Sequence, residues 1–95
     1  MRNYEVMYII KPETEEEKVT AIMERFKSLV EERGAEVTKL EKWGKRRLAY
    51  EIDHMREGIY ILMQFKAEAA AAAELDRVLK INDDVFRHMI TRGEE

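Results

Sequence analysis

Two histidines, His54 and His88, and one serine, Ser28, are nearly all this chain offers as nucleophiles or as groups titrating near neutral pH, and it has no cysteine. Ser28 has no histidine near it in sequence to act as its base. Asp53, His54 and Glu57 have the composition of a metal cluster, but they sit in a polar turn of the kind that simply faces water. His88 lies in an apolar stretch and reads as a packed or interface residue rather than a general base. No catalytic residue, metal ligand or cofactor is therefore assigned. The other chemistry is electrostatic. From Lys39 to Arg47 there are five basic residues against one acid, Glu41, and they interleave with Trp43 as Lys42-Trp43-Gly44-Lys45-Arg46-Arg47. That pattern suits contact with phosphate. It equally suits a solvated edge strand whose cations block sheet-to-sheet pairing, and charge alone leaves both open.

The elements that would position these residues can be read from periodicity. Tyr4-Glu5-Val6-Met7-Tyr8-Ile9-Ile10 is a strand, apolar on both faces and hence central in its sheet: Tyr4, Val6, Tyr8 and Ile10 form one face, Glu5, Met7 and Ile9 the other. Thr14 and Glu17 have capping-box spacing, and Val19, Ile22, Met23, Phe26, Leu29 and Val30 make one stripe, predicting a helix over 15–33 that Gly34 stops. Residues 35–53 read as one long irregular strand with a bulge near Thr38 and a kink at Gly44. His54 to Gly58 reads as a polar turn, 59–65 as a third strand, 69–80 as an alanine-rich helix and 85–91 as a fourth strand.

The order β-α-β-β-α-β is the ferredoxin-like plan: a four-stranded antiparallel sheet, spatial order 4-1-3-2, with both helices on one face. Phe26 and Val30 should pack on Val6 and Ile61, beside Leu75 and Leu79. The other sheet face is left open, which places Met7, Ile9, Tyr60 and Leu62 there, with His88 and Ile90 from the fourth strand, as an exposed apolar patch fit for a protein partner; the alternative is that the chain's own loops cover these residues. Acylphosphatases share the topology but need a glycine-rich anion loop after the first strand, where this chain has Lys11-Pro12-Glu13-Thr14. RNA-recognition motifs share it too, but Gly58-Ile59-Tyr60-Ile61-Leu62-Met63-Gln64-Phe65 has the wrong aromatic spacing for base stacking.

At 95 residues the chain has room for one domain and one core. Hydrophobic residues at 45% and charged residues at 39% exclude a disordered acidic tail, and no apolar run approaches the ~20 residues of a membrane span. The absence of cysteine and of a signal-peptide core fits a cytosolic protein. The net charge of −3 makes the basic run a local feature.

Gly44-Lys45-Arg46-Arg47-Leu48-Ala49-Tyr50-Glu51-Ile52 resembles the signature of the family of the sixth protein of the bacterial small ribosomal subunit. The opening Met1 to Ile10, the segment Gly34 to Val37 and the run Lys80 to His88 resemble that family in the same order, so the likeness covers essentially the whole chain. Asp53 departs from the basic, amide or small residue more common there, and no RNA role is carried over to it. The chain ends at Glu94-Glu95, short of the tail some relatives carry, so no tail contacts are carried over. The resemblance implies a non-catalytic ribosomal subunit of the cytoplasm. It would bind small-subunit (16S) ribosomal RNA together with the eighteenth small-subunit protein, a basic partner. Arg2, Lys42, Lys45, Arg46, Arg47, Arg87 and Arg92, near strand ends or in the basic hairpin, are the residues expected to position phosphate. The rival from another class is a ferredoxin-like regulatory or small-ligand module that dimerises through its sheet; it would need a polar pocket, and no glycine-turn position suggests one.

Overall fold

Alternation sends Tyr4, Val6, Tyr8 and Ile10 to one side of the first strand, and all four are buried in the computed structural model, which describes residues 1–93. Glu94 and Glu95 lie outside the described residues. The elements are β1 (Arg2–Ile10), α1 (Glu16–Glu31), β2 (Glu36–Ile52), β3 (Met55–Ala67), α2 (Ala69–Ile81) and β4 (Val85–Arg92). The sheet runs β2-β3-β1-β4 and is antiparallel throughout, so the ferredoxin-like arrangement holds, with β1 and β3 central.

The core lies between the sheet and the two helices. Phe26 and Val30 of α1, Val6 and Ile61 of the central strands, and Leu75 and Leu79 of α2 belong to one buried cluster. Ala71 and Ala72 are buried in it as well, and their small side chains let α2 lie close to the sheet. Tyr8 meets Phe26 edge-on at 5.2 Å between ring centres, and Tyr4 stacks on Phe65 at 5.6 Å. The Tyr8 hydroxyl is buried with no hydrogen-bond partner among the described residues, and desolvation holds its proton on well above the usual tyrosine range. Tyr8→Phe should therefore leave stability unchanged or raise it by up to about 1 kcal/mol in a denaturant melt, because no bond is lost and an unsatisfied polar group goes. A loss of more than about 1 kcal/mol would mean that the hydroxyl has a partner.

Three local readings are corrected. The capping box does not form: α1 starts one residue later, with extended Glu15 as its N-cap and no side-chain cap bond, because the Thr14 amide turns back to the Lys11 carbonyl at 3.1 Å. Glu16 and Glu17 still occupy the first turn, where the helix dipole favours them. The polar segment His54 to Gly58 is not a turn. β3 begins at Met55, and the reversal is made by Asp53 and His54 alone, both at positive φ (47° and 66°). Those conformations are the ones a two-residue hairpin loop needs, and Asp and His tolerate them better than most residues. Finally, the register of β4 differs. Val85 opposes Ile10 and Arg87 opposes Ile9, so Phe86 is an extra, bulged residue. Beyond it, His88 opposes Tyr8 and Ile90 opposes Val6, which puts both on the helix side. Strict alternation from buried Val85 would have put them on the open face.

The two irregularities expected in β2 are present. The pairing with β3 skips Thr38 and again skips Trp43, immediately before Gly44 at φ 87°. A third, larger one follows: Arg47 opposes Glu57 but Ile52 opposes Met55, so Leu48 to Glu51 form an excursion from the ladder.

Candidate nucleic-acid and partner interface

That excursion decides what the open face looks like. The hairpin of β2 and β3 overhangs the end of β1, since Ile10 pairs with Ile59 while Arg47 pairs with Glu57. Its residues Leu48 to Tyr50 then lean back over the open face. There the Arg87 Nη1 donates a 2.8 Å hydrogen bond to the Tyr50 hydroxyl, and its guanidinium lies over the Tyr50 ring at 5.6 Å. Between hairpin and sheet is a cavity of about 250 Å³ whose walls include Met7, Ile9, Leu48, Tyr60 and Met89.

The expected apolar patch is thus only partly available. Met7 and Tyr60 are half-buried on the open face, in register with Met89 and Ile9 respectively. Ile9 and Leu62 lie on the same face but are only 6% and 5% exposed, so they form a small second core instead of a free surface. Gly58 belongs to this packing: a Cβ there would stand 2.2 Å from Ile9 Cγ2 and 3.0 Å from Phe86 Cζ. The side chains of His88 and Ile90 do not belong to the patch, although His88 borders the cavity. Ile90 packs on the main core, and His88 Nε2 lies 2.7 Å from Asp76 Oδ1 of α2. That hydrogen bond, followed by one from Lys80, holds the Asp76 carboxyl below its usual range. The β4 residues that do face outward are Arg87, Met89 and Thr91, which the bulge at Phe86 exchanges for their neighbours. No periodic signal in Val85 to Arg92 marks that exchange.

The seven cations divide into two groups. Gly44, Tyr60 and Ile9 are aligned across the sheet, and so are Ala67 and Arg2, seven residues away along β1. At ~3.3 Å per residue that is roughly 23 Å. Lys42, Lys45, Arg46, Arg47 and Arg87 lie at the hairpin end, while Arg2 and Arg92 lie at the other end, on the helix side beside Ala67 and Tyr4. Within the hairpin group, Lys42 faces α1 and is tied to Glu16 at 3.3 Å, and Arg87 is engaged with Tyr50. Lys45, Arg46 and Arg47 are exposed and make no ion pair among the described residues. Arg46 lies over the Trp43 ring at 5.2 Å. What the hairpin presents is a short row of cations without an acid partner among the described residues, on the edge strand.

Among the described residues, no group of three or more His, Asp or Glu side chains could hold a metal ion, and no helix is long and apolar enough to cross a membrane. Comparison with known proteins gives the geometry its context. The family model described as ribosomal protein S6 matches residues 3–92. A small ribosomal subunit protein bS6 from Desulforamulus reducens is 80% identical over 95 residues, the full length of both chains. One from Carboxydothermus hydrogenoformans is 56% identical over all of this chain and 99% of its own. The crystal structure of 30S ribosomal protein S6 from Thermotoga maritima superposes with a TM-score of 0.92 at 33% identity, covering 97% of this chain and 87% of that one. With the fold, the hairpin and nearly every residue accounted for by one match, the chain belongs to the ribosomal protein S6 family of the bacterial small subunit.

Proposed function

We propose that this protein is a non-catalytic constituent of the cytoplasmic ribosome that binds small-subunit ribosomal RNA through its β2–β3 hairpin, jointly with a basic protein partner seated against the open sheet face. The partner is the eighteenth small-subunit protein, as the family resemblance implies. The observation that carries this reading is the row Lys45-Arg46-Arg47, exposed and without acid partners among the described residues, on an otherwise acidic molecule of net charge −3. Such side chains position phosphate and carry no base-reading geometry of their own. A surface that offers only this short row on a net-acidic chain neutralises few phosphates, so it binds RNA weakly alone, and a basic neighbour supplies the remaining charge. The outward groups left for that neighbour are Met7, Tyr60, Arg87 and Met89. They replace the surface that included Ile9, Leu62, His88 and Ile90.

The test is a salt titration of RNA binding by the two-protein complex. Converting Arg46 and Arg47 together to alanine should flatten the slope of log affinity against log salt by roughly 1–2 units. An unchanged slope would assign both arginines to edge-strand protection and move the RNA surface to Arg2 and Arg92 at the far end of the sheet.

A further inference from the structure

Trp43 is the chain's single tryptophan, and it is 42% exposed, although it stands in a strand and not at a terminus. Its position has a mechanical cause. The β2–β3 ladder skips it, Gly44 follows at φ 87°, and β2 is the outer strand of the sheet, so the bulge pushes the indole off the edge. The ring is nevertheless held. Its Nε1 donates to Glu41 Oε1 at 3.4 Å, and the Arg46 guanidinium covers it at 5.2 Å. Glu41 is itself paired with Lys39 at 3.5 Å, which offsets its charge next to the indole.

Resting on the RNA reading above, we infer that Trp43 is a stacking platform for one unpaired nucleobase, with Arg46 and Lys45 on the phosphates that flank it. An exposed aromatic already fixed in orientation loses little freedom when a base is laid on it. A base is favoured over a protein side chain because the groups that hold the ring, Glu41 and Arg46, are charged. A protein-binding hot spot would set the ring among apolar groups. The base must be unpaired, since the faces of bases inside an RNA helix are covered by their own neighbours. Stacking of this kind tolerates any base, so the site adds affinity for single strands and no sequence preference.

Because no other tryptophan contributes, the indole fluorescence reports on this site alone. The experiment titrates the full chain at low salt with an eight-nucleotide oligoadenylate and with a blunt RNA duplex, following tryptophan emission and, separately, the anisotropy of dye-labelled RNA. The single strand should quench Trp43, and the duplex should bind without comparable quenching. Trp43→Leu should weaken single-strand binding about tenfold or more while leaving the salt slope unchanged, since no charge is lost, and Trp43→Phe should recover most of the affinity. A thermal melt of each variant, expected to match the parent for so exposed a side chain, checks that the fold is kept. Binding seen by anisotropy with no quenching, or with equal affinity for Trp43→Leu, overturns the stacking while leaving the phosphate reading in place. No binding of either RNA by either readout overturns the stacking, and the phosphate reading then rests on the salt titration of the two-protein complex alone.

Discussion

Leu75→Ala should lower the unfolding free energy by about 2–5 kcal/mol, measured by denaturant melts. Leu75 is fully buried where α2 meets the sheet, beside Val78 and Leu79 and close to the small side chains of Ala71 and Ala72. The tight seating that alanines permit also leaves little nearby that could move in to fill the space, which favours the upper part of that range. For a domain of this size the total is about 5–15 kcal/mol, so one substitution removes a large share of it. A loss below about half a kcal/mol would mean that α2 does not present this face to the sheet.

Ile9→Ser is the second large effect, and its sign depends on the hairpin. Were the open face bare, serine at position 9 would leave the melt of the free protein unaltered and weaken only partner binding. With the Leu48–Glu51 excursion over it, Ile9 is buried and Gly58 leaves its bare Cα against the Ile9 side chain. Serine there removes packing and buries a hydroxyl, and the expected cost is at least about 2 kcal/mol. Met89→Ser is the matching control: it lies on the same face but exposed, so its melt should stay within about 0.5 kcal/mol of the parent while affinity for the basic partner falls. If Ile9→Ser melts like the parent, the hairpin does not rest on the sheet.

The helix-facing half of the molecule was legible because its signals are local. Val19, Ile22, Phe26 and Val30 repeat at helical spacing, and Tyr4, Val6, Tyr8 and Ile10 alternate, so each element declares its buried side without reference to its neighbours. The bulge near Thr38 and the irregularity at Gly44 were legible as breaks in alternation. The open face was not, because its make-up depends on how strands meet. The extra residue at Phe86 is visible only as a mismatch between β1 and β4, and it moved His88 and Ile90 to the core side while bringing out Arg87 and Met89. The fold of Leu48 to Tyr50 over Ile9 is likewise an event between segments: Leu48, Tyr50 and Ile52 alternate as in any strand, yet Tyr50 ends against Arg87 of the far edge. For the cations, type and exposure were read from sequence, but their division between two ends of the sheet, and the pairing of Lys42 with Glu16, required the register.

The place of β1 in the sheet has a consequence for how the chain acquires its shape. β1 pairs with β3 and β4 and with nothing nearer in sequence, although it is the first strand to be made. β2 and β3, by contrast, are joined by two residues and can close on each other at once. A nascent chain therefore carries Tyr4, Val6, Tyr8 and Ile10 unpaired through the synthesis of α1 and the whole hairpin, and the second edge of β1 stays bare until Val85 to Arg92 has emerged. Closing those long loops is the slow, entropically costly part of forming this topology. During that interval the strand that becomes the centre of the sheet is also the segment most open to pairing with another chain.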